Sequence, residues 1–522
     1  MPVPLRRVLG LLLAVVVCAA LVLLSRRAAD APSTSDTAVI ESYTLLASRA
    51  ELLVGAYSRF QWHHPGPLYF YVLAPFYVLS GEKTAGLHAG AAAISIGSLA
   101  LVAAVLVRRR GTLAVLVGGS LALLAWRAAE ATASPGNPHV PLLPMAALVI
   151  AGADVVAGRM WLLPAVALLA SMAGQAHIAM LPSALALGAV PFARALAGAV
   201  ARGGDRLRWR TSLVVTLVTL AAAWAFPVWE QASGAPRGNL TELWLFFVKQ
   251  TRSGQPLAVA VSAWADMWSG VLRPDFYVAH GWPFVESPVP WAEWVTLASL
   301  ALVALFAWQG VYRRDPFDVA LGGLLLLGGA VSLWSATRIA ERIFDHDIFW
   351  MAALGALALA VAADALLSMF GVRAAAPQGR VGRVACALVL GAAAAAPAAE
   401  VDGVARRSFV PPADARIALA VADDLDAYLA RQGVSRALVT IDQDAWGVAA
   451  GAILALQKRG TMVAVEEDWV VMFTPAFRAT GKEDAVIRMA MPPEHLRLVD
   501  RRVPTISSHD PIYAHAERPS AR

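Results

Sequence analysis

The feature that most constrains this chain is a succession of apolar runs broken by short arginine clusters, extending from Val8 to Ala399. A run approaching ~20 apolar residues is enough to cross a bilayer as a helix, whose backbone amides bond to one another rather than to lipid. Only 15% of the residues are charged and 58% are hydrophobic, against about 25% charged in soluble domains. The chain therefore reads as a polytopic α-helical membrane protein. Its net charge of +6 lies mostly in those arginine clusters, where membrane orientation places it, so no nucleic-acid partner is read from it. Cys18 and Cys386 both fall inside apolar runs and imply neither a disulfide framework nor a zinc site.

Charge also sets the topology. Val8–Leu24, preceded by Arg6 and Arg7, reads as a retained first span with a cytoplasmic N-terminus. Pro67–Leu79 is short for a crossing and contains Pro75, so it is expected as an interfacial or re-entrant helix. Ala85–Val107 then runs inward to Arg108, Arg109 and Arg110, and later runs return to Arg159, to Arg202–Arg210, to Arg313 and Arg314, and to Arg373–Arg383. Letting Pro67–Leu79 cross would move the larger clusters outside, against the positive-inside rule. The count is about eleven spans plus interfacial helices. The transmembrane domain covers residues 1–400, with external loops 26–84 and 230–290. No internal repeat is evident, which weighs against a transporter built from two related halves.

One polar island interrupts the apolar pattern, from Ser35 to Tyr71. Ile40, Tyr43, Leu46, Ala47 and Ala50 recur at helical spacing, so Thr37–Leu53 is expected as a helix on the outer membrane surface. Asp36 and Glu41 open the stretch, and His63 and His64 precede Pro65-Gly66-Pro67. Carboxylates and imidazoles between membrane segments are what proton transfer at the surface needs. The plainer alternative is a solvated loop leading into a proline-started helix.

These residues carry a resemblance. An Asp just after the first span, an amphipathic stretch and then His64-Pro65-Gly66-Pro67-Leu68 resemble the GT-C superfamily of polytopic glycosyltransferases. The similar branches are the protein mannosyltransferases, the aminoarabinose transferases and the actinobacterial arabinosyl- and mannosyltransferases. The layout covered is about Val8 to Ala399. The resemblance implies an inverting enzyme of the inner membrane that takes a sugar from a polyprenyl-phosphate donor to a lipid or glycan acceptor of the cell envelope. It gives Asp36 the role of general base. Thr37 stands where many members have a second acid, and Glu41 is the candidate to compensate.

With the topology above, further polar residues converge on the external side. They are Asn137 and His139, Gln175 and His177, the long-loop residues Glu230, Gln231, Lys249, Arg252, Arg273 and Asp275, and the run Arg338–Asp347. Guanidinium and ammonium groups at that depth suit a donor phosphate, so Arg338, Arg342 and Lys249 are its candidate ligands. Each has a structural alternative: Glu341–Arg342 as a loop ion pair, His139 as a helix-entry residue, Gln175 and His177 as inter-helix hydrogen-bonding residues. The external histidines leave a divalent metal open, but none of them has the helical i,i+4 ligand spacing. A flippase for lipid-linked sugars and a non-catalytic scaffold are the other functional classes that fit.

Beyond Glu400 the character changes. Pro411-Pro412 marks a linker, and helices alternate with the strand-like stretches ALVTID, TMVAVEE and AVIRMA. Residues 401–506 are expected as a small extracytoplasmic α/β domain, its strand-end acids Asp442 and Asp444 either cleft or turn residues. Residues 507–522 are expected as a disordered tail.

Overall fold

The computed structural model describes residues 3–28, 32–109, 111–201, 205–234, 237–249, 254–273, 288–371, 380–406 and 413–517. The chain divides into two compact units. The first comprises residues 1–21, 65–69 and 91–401; the second comprises 22–64, 70–90 and 402–522. The expected boundary near residue 400 is thus only part of the division, because most of the first loop groups with the C-terminal segment.

The first unit is helical. Among the described residues, seven helices are long and apolar enough to cross a membrane: Thr84–Leu106, Ile178–Val200, Arg206–Ser233, Ala292–Arg313, Pro316–Thr337, Met351–Met369 and Leu388–Arg406. Shorter apolar helices include Gly111–Arg127, Leu142–Val156 and Met160–Ala176. Met351–Met369 is buried along most of its length, from Met351 to Ala365, and exposed at its C-terminal end. Helix Arg206–Ser233 instead turns Val214, Leu217 and Val218 outward. A row of exposed branched apolar side chains on a long helix is the surface lipid tails require. Packing is close enough that a side chain at Gly355 would overlap the carbonyl oxygen of Trp268. Asp154, fully buried, is bonded by Arg109 and Arg159, which is how a carboxylate survives at the end of an apolar helix.

The second unit is α/β. Its five strands are β1 at Arg436–Ile441, β2 at Met462–Val465, β3 at Ala485–Ala490, β4 at Thr505–His509 and β5 at Ile512–Glu517, in the sheet order β2-β1-β3-β5-β4. The first three are parallel, β5 pairs antiparallel with β3, and β4 pairs antiparallel with β5 at the edge. Two expectations are corrected here. Residues 507–517 are not a tail but most of a hairpin whose apolar pattern is thin, since only Ile512 and Ala514 are buried hydrophobics. Ser507 and His509 fix it by bonding Asp424 at 2.8 and 2.9 Å. The helix expected over Thr37–Leu53 spans Ser35–Ser48, and it is enclosed: Ala38, Val39 and every residue from Glu41 to Ala47 are buried. Tyr43 explains the shorter span of exposure, because its hydroxyl bonds the carbonyls of Val471 and Met472 at the end of the helix Glu467–Phe473.

Candidate functional site

Of the acids and imidazoles singled out in the polar island, Asp36 is exposed and Glu41, His63 and His64 are enclosed. Asp36 lies in the first turn of the helix Ser35–Ser48, where the helix dipole favours an anion. It is exposed, and the Tyr57 hydroxyl donates to its Oδ1. Tyr57 begins a two-residue strand paired antiparallel with Trp62–His63. Burial first, and the Asp36 carboxylate second, push the Tyr57 phenol far above its ordinary value, so it stays a donor at any working pH.

Glu41 is placed otherwise. It has no solvent exposure. Ser33 and Thr84 donate to Oε2 at 2.7 Å each, Tyr77 donates to Oε1 at 3.0 Å, and the Lys458 ammonium pairs with Oε1. The expected second catalytic carboxylate is therefore consumed by structure. The histidines are likewise taken up. His63 is buried, bonds the backbone of Val471, and is held down to about 4 by burial, so it is neutral near pH 7. The ring of His64 meets Trp62 edge-on at 5.4 Å, and its amide bonds Ala56 O.

In the first unit a second polar cluster forms. Gln175 is fully buried; its Oε1 accepts from the Leu68 amide at 3.2 Å and its Nε2 donates to Ala223 O at 2.8 Å. A side chain at Gly66 would strike that same amide, so the Pro65-Gly66-Pro67 turn is shaped to dock there. Asn137 donates to Ala176 O. His139 Nδ1 and the Ser134 hydroxyl are hydrogen-bonded at 3.0 Å, and burial, followed by His346, holds the pKa of His139 down to about 4. His177 accepts the Ala179 amide on Nδ1, which leaves its N–H on Nε2, facing Asp347 Oδ1 at 3.8 Å. His346 faces the same oxygen at 3.7 Å. Three histidines and Asp347 thus gather at one end of the helices, yet no group with metal-ligand geometry occurs among the described residues.

Arg338 caps the helix Pro316–Thr337 and is exposed, as is Arg342, whose guanidinium lies over the Phe344 ring at 5.4 Å. Gln255 pins this turn by bonding the carbonyls of Ile339 and Glu341, and its amide bonds Thr337 O. Lys249 is exposed in the last turn of the helix Asn239–Lys249. Arg252 and Asp275 lie outside the described residues. Sequence reasoning missed Tyr57, Gln255 and Lys458. None sits in a motif, and each matters only through a partner distant in sequence.

The first unit is a bundle of apolar helices with polar loops and the second a small α/β sheet unit, and the chain is a multi-pass membrane protein. Among solved structures it is similar to ArnT from Cupriavidus metallidurans bound to undecaprenyl phosphate, with a TM-score of 0.51, 13% identity and 99% of each chain covered. Weaker likenesses are to the Archaeoglobus fulgidus oligosaccharyltransferase in complex with Zn and sulfate (TM-score 0.38, 11% identity, 90% of this chain and 67% of that one) and to the mycobacterial arabinofuranosyltransferase AftD (TM-score 0.33, 18% identity, 83% and 31%). This chain spans about a third of AftD. No protein-family model and no curated protein matches the sequence.

Proposed function

We propose that this protein is a membrane glycosyltransferase that moves a sugar from a polyprenyl-phosphate donor to a cell-envelope acceptor on the extracytoplasmic face, with Asp36 as general base. The observation that carries the reading is the contrast between two carboxylates on one helix: Asp36 is exposed and held by Tyr57, while Glu41 is sealed among four partners. The fold shared with a protein bound to undecaprenyl phosphate supports the donor class.

In the proposed reaction the acceptor oxygen forms a bond to the anomeric carbon as its proton passes to the Asp36 carboxylate. The carbon–oxygen bond to the phosphate breaks, and the electron pair leaves on the polyprenyl phosphate. A phosphate leaves without needing a proton, so one carboxylate suffices, and a single displacement inverts the anomeric centre. Arg338 and Arg342, with Lys249, would hold the phosphate, where charge grows as the bond breaks. Burial holds His139 uncharged near pH 7, so it would serve as a hydrogen-bonding group toward the donor rather than as a cation, and His177 would present its Nε2 beside Asp347.

The test is transfer by the full chain in lipid nanodiscs. It is incubated with a panel of radiolabelled polyprenyl-phosphoryl pentoses and hexoses and with envelope glycan fragments. Asp36→Asn is expected to lower kcat by at least about 10²-fold, within the range of a general base, with donor KM nearly unchanged. Transfer unaffected by Asp36→Asn would remove the assignment.

A further inference from the structure

The helix Trp446–Arg459 grips the Asp36 turn from both sides in sequence. Gly447, Gly451 and Lys458 are spaced four and seven residues apart, which puts them on one helix face. Gly451 lies against the carbonyl of Ser33, where a Cβ would stand 2.7 Å away, and Gly447 lies against Ser35, where a Cβ would stand 2.6 Å from Oγ. Those contacts fall immediately before Asp36. After it, Gln457 accepts from Ser42 at 2.7 Å and Lys458 pairs with Glu41. Lys458 is itself aimed by the Glu82 carbonyl at 2.9 Å and lies 5.7 Å from the centre of the Tyr77 ring. Tyr77 in turn donates to the same Glu41 oxygen that Lys458 pairs with.

Glu41 has no water to fall back on. Removing Lys458 would leave a buried carboxylate held by three hydroxyls, and such a charge reorganises its surroundings to regain a counterion. Glu41 sits five residues, about one and a half turns, beyond Asp36 on the same helix. Any shift of Glu41 rotates or slides the first turn, and the Asp36 carboxylate with it. Misplacing a catalytic group by ~1 Å can cost about 10²-fold in rate.

We propose that the C-terminal α/β segment acts as the positioning element for Asp36, with Lys458 as a positioning residue that works through Glu41 and with Gly447 and Gly451 as the seat for the turn. The proposal rests on the reading of Asp36 as the base, and the experiment separates the two. Full-length protein with Cys18 and Cys386 replaced by Ser and Asp36 by Cys carries a nitroxide at position 36, in nanodiscs. In the Lys458→Met background the label is expected to become several-fold more mobile, and in Lys458→Arg to stay close to the parent. Gly447→Ala leaves the buried ion pair intact and keeps the test open if Lys458→Met fails to fold; it too is expected to shift the spectrum. In the transfer assay, with Asp36 restored, Lys458→Met should lower kcat by about 10- to 100-fold with donor KM within twofold, and Lys458→Arg should recover most of it. Spectra unchanged in both Lys458→Met and Gly447→Ala would overturn the positioning role. Full transfer in Asp36→Asn would instead remove the base, whatever the label reports.

Discussion

Tyr57 donates its phenolic proton to Oδ1 of Asp36, and this bond fixes which way the exposed carboxylate faces. Tyr57→Phe keeps the ring and deletes the donor. A hydrogen bond to a charged group is worth about 1.5–3 kcal/mol, so kcat is expected to fall roughly 10- to 100-fold, with donor KM steady. An unchanged kcat in the nanodisc transfer assay would show that the carboxylate needs no such orientation.

The buried His63 makes stability depend on pH. It is neutral in the folded state down to about pH 4, whereas an unfolded histidine takes up its proton near 6.5. Its contribution is therefore complete above about pH 6.5 and is lost progressively as pH falls to about 4, a total of roughly 3 kcal/mol. Thermal melts at pH 7.5 and 4.5 are expected to diverge less for His63→Asn than for the parent, and equal divergence would refute the assignment.

Arg338→Ala and Arg342→Ala are expected to raise donor KM several-fold, and Lys249→Ala less. The two arginines stand on a turn pinned by Gln255, so their position is fixed before the donor arrives. Lys249 ends a helix that is largely exposed along its last turn. Equal KM values across the three variants would place the phosphate elsewhere.

Gly355→Ala is expected to cost at least about 1–3 kcal/mol through overpacking, because its Cβ meets the Trp268 carbonyl. Gly323, with nothing within 4 Å of its would-be Cβ, is the matched control, and Gly323→Ala should leave the melting temperature unchanged or slightly higher. A melting temperature that rises in Gly355→Ala as it does in Gly323→Ala would refute the close contact, since the gain would be the helix propensity of Ala over Gly.

The helices of the bundle were legible because the signal is local. The run Trp291–Val311 becomes the helix Ala292–Arg313, and Val319–Ser335 becomes part of Pro316–Thr337. A lipid-facing helix needs only length, apolar side chains and flanking arginines, all of which are properties of a short stretch of chain. The three parallel strands were legible for a similar reason, as β-branched runs between helical patterns. The hairpin Thr505–Glu517 was not, since its strands are held by polar bonds from Ser507 and His509 to Asp424 rather than by an alternating apolar face.

By itself the sequence determined a membrane bundle, a small α/β segment and an acid placed just after the first span. Tertiary structure alone decided how the two acids of that helix are surrounded. Asp36 and Glu41 are the same chemistry five residues apart, and no periodicity separates them. The difference comes from Lys458, Tyr77 and Thr84, which converge on Glu41 and leave Asp36 to water and Tyr57. A carboxylate's role depends on which groups surround it, and those groups are brought together only when distant segments pack.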